Sequence, residues 1–217
     1  VDLTRYIDGY CERLNPGFWD EPINALTNLA FVIAAFVVWQ RHRLQRDWII
    51  SLLCAVLALI GVGSFLFHTT AQVWAAIADV LPILAFILVY IFAINLRVVE
   101  VRPIFALLGA ALFIPFAAVL LPVFQMVPGL GSSASYGPVP LLILIYAFYL
   151  RRAQPRLSRE FTIGAGILIL SITFRSLDLP LCASVPHGTH FMWHILNAIM
   201  LGWMVNAYAR QMQRPVG

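Results

Sequence analysis

Apolar residues fill long stretches of this chain, and short polar connectors separate them. A helix needs about 20 mostly apolar residues to cross the hydrocarbon core of a bilayer. Seven stretches meet that length approximately: 22–40, 48–67, 73–95, 103–122, 133–150, 161–180 and 190–208. The pattern predicts an all-α, polytopic membrane protein with seven transmembrane helices. The connectors are too short to hold a soluble domain. Three parts follow: an acidic N-terminal segment over 1–21, a transmembrane domain over 22–208 and a tail over 209–217. The first 21 residues are polar and acidic, unlike the basic-then-apolar order of a cleavable signal peptide. No low-complexity tract or close internal repeat is apparent.

Composition supports lipid as the solvent. The chain has 217 residues, of which 61% are hydrophobic and 11% charged. Soluble domains carry roughly 25% charged residues. The charges then orient the bundle. All fourteen basic residues are Arg. Eleven of them fall at one side: Arg41, Arg43, Arg46, Arg97, Arg102, Arg151, Arg152, Arg156, Arg159, Arg210 and Arg214. The positive-inside rule makes that side cytoplasmic. The N-terminus is then outside and the C-terminus inside, as an odd number of spans requires. The basic residues are split among separate loops, so the net charge of +4 reflects topology and is no argument for nucleic-acid binding. An Arg-only basic set also hints at a GC-rich bacterial genome, for which the plasma (inner) membrane is the expected location.

Seven of the ten acids share the opposite, outer end: Asp2, Asp8, Glu12, Asp20, Glu21, Asp79 and Asp178. Ionisable residues inside spans are costly and mark functional sites by default. Helix 2 ends in "GVGSFLFHTT" with Ser64 and His68, helix 3 opens with "AIADVLP" and Asp79, helix 6 closes with "FRSLDLPLC" and Arg175 and Asp178, and helix 7 opens with "THFMWH" and His190 and His194. With alternating helix directions, all of these reach one depth near the outer face.

His190 and His194 are four apart and share one helix face. Two imidazoles so spaced form a bidentate metal site of the kind seen in H-E-x-x-H enzymes, though the Glu is missing here. His68 can supply a third nitrogen. Three protein ligands with an open fourth position describe catalytic zinc, whereas structural sites are usually closed by four. His187 precedes the helix and reads as a rim residue outside the ligand set. His42, in the Arg-rich inner loop, reads as solvated. Ser64 alone could bond a helical carbonyl. Arg175 and Asp178 stand three apart, and mutual neutralisation is the reading favoured for them. Cys11 and Cys182 both fall on the outer, oxidising side and could form a disulfide over the mouth of the bundle.

The chain resembles the alkaline ceramidase family, seven-helix membrane hydrolases of the wider CREST superfamily, over nearly its whole length. "YCERLNPGFWDEPINALTN" looks like the family's N-terminal block, "GSFLFHTT" its Ser-x-x-x-His block, "DVLP" its Asp-x-x-Pro block, "HFMWH" its His-x-x-x-His block and "LDLPLC" its second cysteine segment. The resemblance implies zinc on His68, His190 and His194. It implies that Asp79 positions or deprotonates the attacking water, and that Ser64 contacts that water or the reacting carbonyl. It implies hydrolysis of the amide of ceramide, a membrane lipid partner, to sphingosine and a fatty acid. For a bacterial protein another N-acyl lipid would fit the same pocket. A receptor or lipid-binding protein with structural zinc is the alternative, and Asp79 beside an open zinc position argues against it.

Family members can also bind calcium through the N-terminal acidic block. Here Asp8, Glu12, Asn15, Asp20 and Glu21 are the candidate ligands, since calcium takes six to eight oxygens, mostly carboxylate and carbonyl. Asp8 stands one residue further from Cys11 than in the eukaryotic pattern, and the downstream Asn is displaced to Asn15, with Leu14 in its place. A solvated acidic segment is the competing reading.

Overall fold

The computed structural model describes residues 2–213, so Arg214 of the inner basic set lies outside the described residues. Nine α-helices carry the fold among them: α1 Pro22–Thr27, α2 Leu29–His42, α3 Trp48–Thr70, α4 Val73–Arg97, α5 Pro103–Ala111, α6 Phe113–Gln125, α7 Pro138–Leu150, α8 Pro155–Leu177 and α9 His190–Met212. Short 3₁₀ turns at Arg43–Gln45 and Gly131–Tyr136 extend α2 and precede α7. Six helical stretches are long and apolar enough to cross a membrane: Pro22–Gln45, Trp48–Thr70, Val73–Arg97, Pro103–Gln125, Gly131–Leu150 and Pro155–Leu177. The protein is therefore all-α and polytopic. Each of these begins or ends within a few residues of an expected span.

Two expected spans are interrupted. The first breaks at Asn28, whose amide side chain donates to the Asn24 carbonyl at 2.8 Å. The fourth breaks at Leu112, where Pro115 supplies no N–H for the Ala111 carbonyl. Elsewhere local chemistry sets the ends. Asp47 caps α3 by accepting from the Ile49 N–H at 2.8 Å. Ala71, at φ 49°, closes that helix.

Consecutive helices pack side by side, and α9 closes the ring against α1, α2 and α3 as well as α8. More than half of α9 is buried, including Trp193, Met204, Val205 and Tyr208. A helix enclosed by others need not be apolar all round, which is why α9 can carry His190, His194, Asn197 and Asn206 on buried positions. Ser171 of α8 donates to the Trp193 carbonyl at 3.1 Å, and Tyr90 of α4 to the Met204 carbonyl at 2.9 Å. Both hold α9 in register.

His42 corrects the expectation of a solvated residue: it is 4% exposed. The Gln45 amide donates to its Nδ1 at 2.6 Å, which leaves Nε2–H to donate to Asn206 Oδ1 at 2.8 Å. The ring fastens α2 to α9 at the end opposite the other histidines.

The N-terminal segment lies across the α3–α4 turn. Ile7 N–H donates to the Ala71 carbonyl at 2.7 Å, and Val73 N–H to the Arg5 carbonyl at 3.1 Å. This lays the segment over the ends of the helices that bear the site.

Candidate metal centre

The C-terminal turn of α3 brings His68, and the first two turns of α9 bring His190 and His194. One ligand atom from each lies within 4.8 Å of the others, and all three side chains are buried. Among the described residues this is the one group of three or more His, Cys, Asp or Glu side chains so gathered. His68 Nε2, His190 Nδ1 and His194 Nε2 are buried with no hydrogen-bond partner. Three orphaned imidazole nitrogens turned to one place are costly unless something binds them. An all-imidazole donor set suits zinc.

Neighbouring groups fix the tautomers. Thr27 Oγ1 donates its proton to backbone carbonyls of Ile23 or Asn24, at 2.8 and 3.1 Å. It therefore accepts from His194 Nδ1–H at 2.9 Å, which leaves Nε2 with its lone pair inward. His68 Nδ1 stands 2.6 Å from Glu21 Oε2, so the carboxylate accepts that N–H and frees Nε2. A carboxylate behind a ligating imidazole is the usual outer support of a zinc site. Burial pushes the Glu21 carboxyl up, but its bonds from His68 Nδ1–H and Arg13, with the Arg13 charge, outweigh this and hold it below the ordinary carboxylate range.

Asp79 enters from the second turn of α4. Its carboxylate interacts with the Ser64 hydroxyl and lies near His68 and the Arg175 guanidinium. The crossing of α3 and α4 explains the approach. Pro82 has no N–H, so the Ala78 carbonyl loses its helical partner. Gly63 packs directly on that carbonyl: a Cβ there would stand 2.7 Å from Ala78 C, closer still to its O, and 3.2 Å from the Asp79 N. The glycine before Ser64 and the proline after Asp79 together let the two helices touch where the polar side chains meet.

The acidic N-terminal residues take other roles than a shared cation site. Glu12 accepts from the first-turn N–H groups of Ile23 and Asn24, at 2.7 and 2.8 Å. Asp20 accepts from the backbone of Leu14 and Asn15. Asp8 and Asn15 are exposed. The place a cation would take beside Glu21 is filled by Arg13, which is 3% exposed. Its guanidinium donates to Glu21 Oε1, to the carbonyls of Asn15 and Gly17 at 3.2 and 3.0 Å, and to the His68 carbonyl at 2.8 Å. The calcium expectation therefore finds no support: Arg13 binds Glu21, and backbone N–H groups take Glu12 and Asp20.

Cys11 and Cys182 are joined by a disulfide. Arg175 and Asp178 do not pair, contrary to the reading favoured from their spacing. Asp178 accepts from Cys11 N–H at 2.9 Å with one oxygen, and from Thr189 and His190 N–H at 2.7 and 2.9 Å with the other. It thus ties the N-terminal segment to the start of α9. Gly188, at φ +64°, makes room for this, since a Cβ there would press on Asp178 and on Cys11. His187 is exposed at the rim.

Sequence reasoning passed over Tyr10, Arg13 and Thr27. The Tyr10 ring stacks on His190 with centroids 3.7 Å apart. Burial raises its phenol pKa, so the hydroxyl stays protonated. The one signal for Tyr10 was its place beside a cysteine. Two small apolar cavities lie among the helices, one lined by Tyr136, Trp193 and Asn197 and the other by Tyr90, Tyr146 and Met204.

The Ceramidase family model matches residues 17–214. No curated protein matches the chain. The matched region includes all three inward-facing imidazoles and both helices of the Gly63–Ala78 crossing, and on that agreement of family and geometry the chain belongs to the Ceramidase family, as a metal-dependent membrane hydrolase of the amidase type.

Proposed function

We propose that this protein hydrolyses the amide bond of ceramide or a related N-acyl lipid, releasing a fatty acid and a sphingoid or other amino-lipid base. The observation that carries the reading is the set of three buried imidazole nitrogens without partners. His68, His190 and His194 would hold zinc, which when bound supplies Lewis acidity and an acidified water. Asp79 accepts the proton of the attacking water on its carboxylate and returns it to the leaving nitrogen. The Ser64 hydroxyl donates a hydrogen bond to the oxygen on which negative charge develops. Glu21 and Thr27 hold the protons on His68 Nδ1 and His194 Nδ1, keeping both rings as lone-pair donors.

The same reading makes α9 a seventh span, with the N-terminus outside and the C-terminus cytoplasmic. The disulfide supports an oxidising location for the site-bearing end. The Arg-rich connectors support a cytoplasmic location for the other. In a bacterium the protein would reside in the plasma membrane.

Labelled ceramide and purified protein test the reaction. Asp79→Asn is expected to retain about one zinc per chain, the count set by a single three-histidine site, yet lose fatty-acid release. Unchanged turnover would remove Asp79 as the proton acceptor. Folded His190→Ala protein that keeps its zinc would sink the ligand set.

A further inference from the structure

At the end of the bundle opposite the three imidazoles, Asn206 of α9 is 8% exposed. A chain of hydrogen bonds fixes its orientation. Gln45 donates to His42 Nδ1 at 2.6 Å, so His42 Nε2–H donates to Asn206 Oδ1 at 2.8 Å. The Arg41 guanidinium approaches the same oxygen at 3.5 Å. The amide oxygen is thus taken, and the NH₂ group remains as a donor only. Among the described residues no acceptor meets it. Arg41 has no acid beside it either: among the described residues the ion pairs are Arg13–Glu21, His68–Glu21 and Arg210–Glu160. A donor withdrawn from water without an acceptor is costly unless a ligand supplies one.

Both side chains line a groove of about 230 Å³ between α2 and α9. From Arg41 the α2 wall runs through Val38 to Ala34. From Asn206 the α9 wall runs through Gly202 to Ala198. Steps of three or four residues keep each wall on one helix face. Two turns of helix give the groove a length of about 10 Å. Val37 and Ile199 at its edges are exposed. Since α2 belongs to a stretch long and apolar enough to cross a membrane, the groove opens on lipid tails. It is apolar along its length and ends in two donors. Arg43 and Arg46 follow in the next connector, so the potential at that end is positive. The complementary molecule joins an acyl chain to an anionic head. A zwitterionic head would bring its own cation among these arginines.

We propose that this groove binds one anionic phospholipid, with an acyl chain along α2 and α9 and a phosphate oxygen held by Arg41 and the Asn206 NH₂ group. Basic pockets between membrane helices on the cytoplasmic side hold anionic head groups in this way. His42 and Gln45 are positioning residues, acting through the Asn206 amide. The site goes beyond the proposed hydrolysis and does not rest on it, since it lies at the other end of the bundle from the histidines.

Full-length protein in neutral detergent provides the test, titrated with phosphatidylglycerol or phosphatidylcholine carrying brominated acyl chains. Trp203 lines the groove, so bromine bound there quenches its fluorescence. Phosphatidylglycerol is expected to reach half-maximal quenching at about a 5-fold lower mole fraction, the scale of one basic side chain at an anionic lipid surface. Trp203→Phe should remove the component of the quenching that shows this preference. Asn206→Asp keeps an acceptor for His42 and replaces the donor with a carboxylate, so the folded variant should lose the preference. Arg41→Gln, at an exposed position, should lose it too. Equal mole fractions for the two lipids in the unaltered protein would overturn the proposal without any variant. So would a full preference surviving in both Asn206→Asp and Arg41→Gln, or one undiminished in Trp203→Phe. Displacement of the lipid by equimolar glycerol phosphate would make this a site for a soluble anion and would also overturn it.

Discussion

Replacing Gly63 with alanine puts a methyl group where α3 meets the exposed carbonyl of Ala78. The added carbon would sit 2.7 Å from Ala78 C, against an ordinary contact distance of at least 3.4 Å. The opposing atoms are backbone, so no side chain can swing away. The carbonyl oxygen is nearer still, so the helices must separate by about 1 Å or more at this level, a strain of the overpacking kind that costs about 1–3 kcal/mol. Ser64 and His68 ride on α3 and Asp79 on α4, so the gap opens between the three histidines and the proposed proton acceptor. A misplacement near 1 Å costs about 100-fold in rate. His68 faces His190 and His194 across α3 and α9, a contact the substitution does not touch. The expected outcome is bound zinc unchanged and kcat for labelled ceramide reduced about 100-fold. Gly166 of α8 is the control, because a Cβ there meets nothing within 4 Å. Gly166→Ala should leave the rate unchanged and raise stability by about 0.5–1 kcal/mol through helix propensity. A Gly63→Ala protein with normal kcat would refute the claim that this crossing sets the Asp79 geometry. Zinc loss would refute the claim that the contact of α3 with α9 is left untouched.

Three further outcomes follow from the support around the imidazoles. Thr27→Val removes the acceptor for His194 Nδ1–H, and competition with a chelator should show zinc affinity reduced about 10- to 100-fold. Reducing the Cys11–Cys182 bridge, or replacing both cysteines with serine, should lower stability by about 2–5 kcal/mol in denaturant titrations. It should also loosen Tyr10 from His190, read as faster hydrogen exchange over residues 6–13. Glu21 has its folded-state pKa lowered, so its stabilising contribution is complete above the unfolded value of about 4.3 and fades as pH falls through the folded value. Thermal unfolding followed from about pH 6 to pH 3 should show this acid-side loss, and Glu21→Gln should remove it from the profile.

Much of the site is legible before any fold is known, and the reason is lipid. In a chain with 11% charged residues, each imidazole or carboxylate inside an apolar run stands out, and alternating helix directions assign it a depth. Ser64, His68, Asp79, His190 and His194 could be read in this way. Polar residues outside the spans gave no such contrast. Arg13 looked like one more charge in an acidic segment, although its guanidinium is the centre that gathers Glu21, His68, Asn15 and Gly17. His42 looked solvated for the same reason, because nothing in its neighbourhood of arginines announces Asn206, 164 residues away.

The sequence by itself determined the helical class, the approximate spans and the residue types of the metal centre, because hydropathy and fourfold spacing act along the chain. Tertiary structure alone decided which charges pair. Three residues on one helix allow Arg175 and Asp178 to meet, yet Asp178 instead holds the start of α9 and Arg175 turns to an aromatic and hydroxyl cage. Backbone N–H groups brought near by the fold satisfy the carboxylate more fully than one exposed ion pair would. The roles of Gly63 and Pro82 likewise exist only once α3 and α4 are packed together, since a missing Cβ and a missing N–H have meaning only against the neighbour they admit.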